Sequence, residues 1–354
     1  MAQRGGFDVI IGNPPYVEWK EKEAPYKISS RLKCGNLYGF CAERCLSLGL
    51  DGAFSFIVPV AITCSKRMGG VIDILRRKST AIWFSSFDDR PGKLFEMIEH
   101  LRASIFIVNR MVARQQCIYS TKYNRWPTEY RSKLFSNLEY NDATSFVNTY
   151  VIPKLSCKME HQISEKIKGV KETLGSAMGL DSNENNVFYR AAGGGYFSLI
   201  KIKKSETWIN GQEEEVKAEK SIQVAQMYAN SAFGAVISST VFYWYYIANT
   251  DCRNLSLKFI ESFPCRLHCL KERSLILEGE RLFDDYEKNR VRMDTTYKSG
   301  NSVVYYEYHP KHSKPIIDKI DDLLAKYYGF TEEELDFIIN YDIKYRMGDE
   351  LNGG

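Results

Sequence analysis

Phe7-Asp8-Val9-Ile10-Ile11-Gly12-Asn13-Pro14-Pro15-Tyr16 is the stretch that decides the fold. A short β-branched apolar run closed by glycine reads as a strand buried on both faces, the pattern of a parallel α/β sheet. Working outward, residues 53–58 (Ala-Phe-Ser-Phe-Ile-Val, ending at Pro59) and 103–108 (Ala-Ser-Ile-Phe-Ile-Val, stopping at Asn109-Arg110) repeat the design, and a further strand is expected over 80–84. Between them, Leu37, Phe40, Cys41, Cys45, Leu46 and Leu48 recur at helical spacing. Residues 67–78 put Val71, Ile74 and Leu75 on one helix face, with Arg76, Arg77 and Lys78 at the carboxyl end. Strands alternating with helices of this length predict an α/β unit with a largely parallel sheet, assigned to residues 1–112.

Beyond residue 112 the rhythm changes, and Tyr, Asn, Ser and Lys mix with short apolar runs. Residues 113–309 read as a second domain of irregular α+β type, in which Gly193-Gly194-Gly195 is a turn without the strand-then-helix context of a phosphate cradle. The uncharged run 221–250 is interrupted by Gln223, Gln226, Asn230 and other polar residues, so it is expected as buried core around Phe242-Tyr243-Trp244-Tyr245-Tyr246. Residues 310–354 form a helical tail, where Thr331-Glu332-Glu333-Glu334 is a capping box followed by Leu335, Ile338 and Ile339 on one face.

With 354 residues, 44% hydrophobic and 26% charged, the chain excludes disordered and fibrous classes. A net charge of +4 says nothing about a polyanionic partner until the charges are placed. Nine cysteines show no framework spacing and no signal segment opens the sequence, so a cytoplasmic location with free thiols is expected. Cys265-x-x-His268-Cys269 lacks a second cysteine pair, and no metal is expected.

In an open α/β sheet, ligands bind beyond the carboxyl ends of strands, which is where Asn13-Pro14-Pro15-Tyr16 falls. These residue types suit methylation of an exocyclic amine. The lone pair of such an amine is delocalised into the ring, and an acceptor on each hydrogen favours a pyramidal nitrogen. Asn13 offers a side-chain carbonyl for one hydrogen and the Pro14 backbone carbonyl can take the other, while consecutive prolines stiffen the loop. Tyr16 supplies a flat face on which a base turned out of a duplex can stack.

At this point the sequence resembles the gamma-class DNA adenine-N6 methyltransferases, in particular the methyltransferase and specificity portion of type IIG restriction-modification enzymes. Residues 7–17 look like their catalytic motif, and 35–40 and 52–59 like the elements that follow. Residues 83–95, 123–127, 251–255 and 337–346 are similar to further stretches of the same proteins. The resemblance implies a partial Rossmann-like methyltransferase sheet, a DNA target-recognition domain and a helical tail. It also implies S-adenosylmethionine as methyl donor, double-stranded DNA as substrate, and transfer to the N6 amine of a flipped adenine. Family members carry a glycine-rich cofactor loop and an acidic ribose ligand N-terminal to this motif, and neither is found here. The expectation is therefore a fragment or split subunit whose partner polypeptide supplies the rest. The alternative is a DNA-binding specificity module without catalysis.

On this reading Asn13, Pro14, Pro15 and Tyr16 are catalytic, and Asn13, Leu37 and Tyr38 contact the cofactor. Tyr16 and Phe106 stack on the target base, with Tyr119 as a rival for Phe106. Lys20, Lys22 and Arg31 in the loop after the motif, Tyr123, Arg125 and Trp126, and Arg253 with Asn254 are the candidate DNA contacts.

Overall fold

The computed structural model describes residues 7–20, 27–30, 32–48, 52–98, 100–110, 116–179, 184–191, 199–297 and 300–348. They group into two compact units, residues 1–160 with 247–251 and residues 161–246 with 252–354. The glycine run 193–195 lies outside the described residues.

The first unit is built on β1 (Val9–Gly12), α1 (Leu37–Leu48), β2 (Ala53–Pro59), α2 (Gly69–Arg77), β3 (Ala81–Phe87), β4 (Ala103–Asn109), β5 (Cys117–Asn124) and the short β6 (Asn141–Asp142). They make a six-stranded sheet of order β1-β2-β4-β3-β5-β6. β1 and β2 are parallel, as are β3 and β5, while β4 runs antiparallel to both neighbours and β6 to β5. The sheet is thus mixed rather than largely parallel. A parallel return needs a helical crossover, and the connection over 88–102 contains no helix among its described residues, so β3 and β4 form a hairpin. By the same pairings β1, β2, β3 and β5 all point one way and share one carboxyl edge. The sheet also extends beyond the expected boundary at 112, because Cys117, Ile118 and Tyr119 pair in register with Ala81, Ile82 and Trp83.

Helices α1 and α2 cover one face. Tyr38, Ala42 and Leu46 from α1 and Val71, Ile72 and Leu75 from α2 close over Phe54, Phe56, Phe84, Phe106 and Val108. Gly39 is needed for this contact, since a Cβ there would lie 2.6 Å from the Cys34 sulfur and 3.1 Å from Val71. The other face is different. Ile11, Ser55, Ile107, Trp83 and Tyr119 align in one cross-strand row. In that row Ile11 is 80% and Ile107 40% exposed, and Trp83 stacks on Tyr119 at 5.5 Å. Val9 is 61% exposed, so β1 is not buried on both faces: among the described residues it has one strand neighbour and no helix above this face.

After α3 (Lys158–Gly169), the second unit contains a three-stranded antiparallel sheet of β7 (Asn186–Arg190), β8 (Ile200–Lys201) and β11 (Glu219–Gln223). A four-stranded antiparallel sheet joins β9 (Thr207–Ile209), β10 (Gln212–Glu213), β12 (Val291–Thr296) and β13 (Ser302–Glu307). The helices are α4 (Asn230–Ser238), α5 (Thr240–Asn249), α6 (Leu257–Ser262), α7 (Arg273–Asn289), α8 (Lys314–Tyr328), α9 (Glu332–Asn340) and α10 (Ile343–Met347). Run 221–250 folds as β11, α4 and α5, and no helix among the described residues is long and apolar enough to cross a membrane.

The tail is integral to the second unit. Thr331 and Glu334 form the expected capping box on α9. Asp321, fully buried on α8, accepts hydrogen bonds from the Thr240 and Val241 amides at the start of α5 (2.8 and 3.2 Å), and Arg346 donates to the Thr240 hydroxyl at 2.9 Å. The positive end of α5 offsets part of the cost of burying this carboxyl, which ties α8 to the start of α5.

Candidate active site at the carboxyl edge of the sheet

Asn13 leaves β1 at the shared carboxyl edge. Pro14 is buried, Asn13 and Pro15 are exposed, and Tyr16 is half-buried against Tyr38, edge to face at 6.5 Å. The Tyr16 hydroxyl lies between two acceptors, 2.5 Å from Asn13 Oδ1 and 2.9 Å from the Ile57 carbonyl of β2. Burial pushes the phenol up to about 12, so it remains a donor at neutral pH. The Asn13 amide is thereby oriented with its carbonyl oxygen defined, and that oxygen keeps a second lone pair for an incoming N–H.

The segment following Tyr16 is stitched to the start of α1. The Trp19 amide donates to Gly35 O and the Leu37 amide to Val17 O, both at 3.0 Å, while Glu18 pairs with Arg67 at 2.8 Å. Gly35 has φ +60°, a conformation that calls for glycine, and the Arg67 guanidinium lies over it. The sequence reading missed this clasp; a glycine directly before a helix-starting asparagine was its signal.

A second feature of this edge also escaped the sequence reading. Asp88 and Asp89 follow β3 and are buried, with Arg125 Nε 2.8 Å and Arg102 Nε 3.2 Å from the Asp88 carboxylate. Burial acts to raise the Asp88 carboxyl, yet the charges of Arg125 and Arg102 outweigh it and hold it below its ordinary value. Lys154, 2% exposed, donates to the carbonyls of Thr250 (2.7 Å) and Ala248 (3.4 Å) and so binds 247–251 into this unit.

Several expected contacts are corrected by burial. Phe106 is fully buried among Phe54, Phe56 and Phe84 and offers no face to a base. Tyr119 stacks on Trp83 on the uncovered face instead. Tyr38 is buried in the core and supports the Tyr16 ring, whereas Leu37 is half-buried at the helix start. Tyr123 lies beneath Arg125 and Lys154, Trp126 packs on Phe87, and the Arg125 side chain is 5% exposed in its ion pair, so this trio is structural. Lys20, Arg253 and Asn254 are exposed. Lys22 and Arg31 lie outside the described residues.

S-adenosylmethionine needs a carboxylate for its ribose and an amide cradle for its polar tail. Among the described residues of this edge, Glu18 is committed to Arg67, Asp88 to two arginines, and Gly35 is closed over by Arg67. The residues present do not fit that cofactor by themselves.

An α/β sheet bearing an amide-proline-proline-tyrosine loop at its carboxyl edge is the class of protein that fold and site define. The sequence profile of the Eco57I restriction-modification methylase family matches residues 1–78, the segment holding this loop and both covering helices. No curated protein matches the sequence significantly. Among solved structures, the type IIL restriction-modification enzyme MmeI in complex with DNA is similar over 96% of this chain and 57% of its own, at 10% identity and a TM-score of 0.51. The ATP-dependent type ISP enzyme LlaBIII bound to DNA is similar over 86% of this chain and 33% of its own (11% identity, TM-score 0.41). The type IIG endonuclease BpuSI is similar over 96% and 53% (10% identity, TM-score 0.33). The chain thus spans little more than half the length of MmeI, with which it shares its fold.

Proposed function

We propose that this chain is the base-handling and specificity half of a DNA adenine-N6 methyltransferase of a restriction-modification system. The observation that carries the reading is the Asn13 amide, fixed by the Tyr16 hydroxyl at the carboxyl end of β1 within the segment that matches the methylase profile. Asn13 Oδ1 accepts one hydrogen of the target amine and the Pro14 carbonyl the other, aiming the nitrogen lone pair outward. The Tyr16 ring gives the flipped base its platform. The second unit is the DNA-recognition portion, with Arg253 and Asn254 as exposed contacts.

The methyl donor on this reading is S-adenosylmethionine, held by a separate polypeptide. The side of β1 that has no strand neighbour among the described residues and the row from Ile11 to Tyr119 favour such a partner, because a sheet strand with a bare neighbour position and an uncovered apolar face is a docking template. Calorimetry on the isolated chain tests this half: no saturable micromolar binding of S-adenosylmethionine is expected, and such binding by a monodisperse monomer would refute the split.

Asn13→Ala in the complemented enzyme tests the chemistry. Removing one positioned acceptor is expected to lower turnover ~10²–10³-fold while DNA affinity survives; unchanged turnover overturns the assignment. The commitment of Glu18 to Arg67 and of Asp88 to Arg125 and Arg102 favours a second reading, a specificity module without catalysis, which predicts no methylation with any complementing chain.

A further inference from the structure

Within the second unit, a cavity of about 640 Å³ opens at the amino end of α4. Its wall is preformed: the Asn185 amide donates to the carbonyls of Val224, Ala225 and Tyr228, and its Oδ1 accepts from the Asn230 amide at 3.2 Å. Helix starts leave their first amides without intrahelical acceptors, and a polar side chain at the cap normally takes one. Here the cap residue is Ala229, which has no side chain for the task. Among the described residues nothing accepts from the Ser231 and Ala232 amides. The Ser231 side chain lines the cavity, is 96% buried by its 4% exposure, and its hydroxyl has no hydrogen-bond partner among the described residues. Also in the lining, the Lys271 ammonium sits 5.0 Å above the Tyr228 ring, with no carboxylate partner among the described residues.

We infer that this cavity holds one phosphodiester group of a nucleic-acid backbone. The Ser231 amide at the positive end of a helix, its hydroxyl and the Lys271 ammonium line one space, which is the donor set of an anion site. Glu184 and Glu280 stand exposed in the same lining and disfavour a dianion, so the site suits a singly charged diester better than a free phosphate ion. The inference deepens the DNA-binding reading of the second unit and rests on it for the source of the diester.

The test uses the full chain, a short fluorescein-labelled DNA duplex and dimethyl phosphate. Lys271→Ala is expected to weaken duplex binding and to reduce the slope of log affinity against log salt by about 0.9, the loss of one phosphate contact. Glu280→Gln is expected to tighten binding severalfold, and Ser231→Ala to weaken it with the slope kept. Dimethyl phosphate should shift the Ser231 and Ala232 amide resonances in the wild type and leave them unmoved in Lys271→Ala. Lys271 is exposed, so its variant keeps the wild-type melting curve. Duplex binding with an unchanged Lys271→Ala slope and unshifted amides overturns the site while leaving DNA binding intact. Shifted amides with no duplex binding uphold the site and refute DNA as its source. Larger shifts with inorganic phosphate than with dimethyl phosphate at equal concentration overturn the diester assignment.

Discussion

Removing the Asp88 carboxylate is the sharpest test of how the first unit holds its carboxyl edge. Arg125 is left with its Nε stripped of the 2.8 Å partner at 5% side-chain exposure, and Arg102, at 20%, keeps Asp89 at 3.4 Å. Arg125 is therefore the more deeply buried of the two cations that lose this carboxylate. Breaking one side of a buried pair typically costs about 3–5 kcal/mol, because the desolvation of the remaining ion is no longer offset. At roughly 2–4 °C per kcal/mol for a unit of this size, Asp88→Ala should melt roughly 6–20 °C below wild type. Scanning calorimetry and urea titration of the full chain provide the measurement. The double variant Asp88→Ala/Arg125→Ala should recover part of the loss, since neither charge remains to be stranded. A single variant within about 1 kcal/mol of wild type, or a double variant showing the full sum of the two single losses, refutes the reasoning. Acid acts along the same path: the depressed Asp88 carboxyl contributes stability above the ordinary carboxylate range and loses it as pH falls through its lowered value.

Tyr16→Phe keeps the ring but frees the Asn13 amide, and in the complemented enzyme a loss of about 1 kcal/mol, roughly fivefold in turnover, is expected with base stacking unchanged in a fluorescent-base assay; full turnover would show that the hydroxyl does not orient Asn13. Burial raises Asp321 to about 6, against the hydrogen bond from Thr240 and the Arg346 charge, so its contribution to stability is complete below an unfolded value near 3.8 and is lost as pH rises through 6. That gap is worth about 3 kcal/mol at ~1.4 per unit, and Asp321→Asn should flatten the stability profile between pH 4 and 6; an unaltered profile would refute it. Ile11→Lys should leave the chain's own melting within about 0.5 kcal/mol yet abolish complementation by a partner chain; intact complementation would show that the uncovered row is not the docking face.

Strand positions were legible because apolar β-branched runs with sharp ends have few other solutions. Expectations over 53–58 and 103–108 fall inside β2 and β4, and the spacing from Leu37 to Leu48 gives α1 end to end. Strand direction was not legible: the pattern of Ala103 to Asn109 is the same whether the strand runs parallel or antiparallel, and only the helix-free connection from β3 decides it. Burial of charged and aromatic side chains was also hidden. Arg125 and Trp126 read as exposed DNA contacts because their partners, Asp88 and Phe87, are distant in sequence and meet them only through the pairing of β3 with β5. At the site itself, the loop and its donor types could be read from Asn13 to Tyr16, whereas the tie from the Tyr16 hydroxyl to Ile57 depends on β1 lying beside β2.

The hairpin that makes β4 antiparallel also determines where this molecule can change cheaply. Phe87 and Ala103 are paired neighbours, so the segment between them begins and ends at one spot, and its tip carries Met97 at 95% and Ile98 at 43% exposure. Lengthening a loop whose ends are already pinned costs little, about 0.6 kcal/mol for each doubling, so whole peptides can be spliced in at this tip without disturbing the strands. Because β3 ends on the same edge as β1, any such graft emerges on the edge that carries Asn13, with β2 and β4 lying between β3 and β1. New side chains can thus be added to this carboxyl edge by insertion alone, and the 88–102 segment is the natural place to build a library.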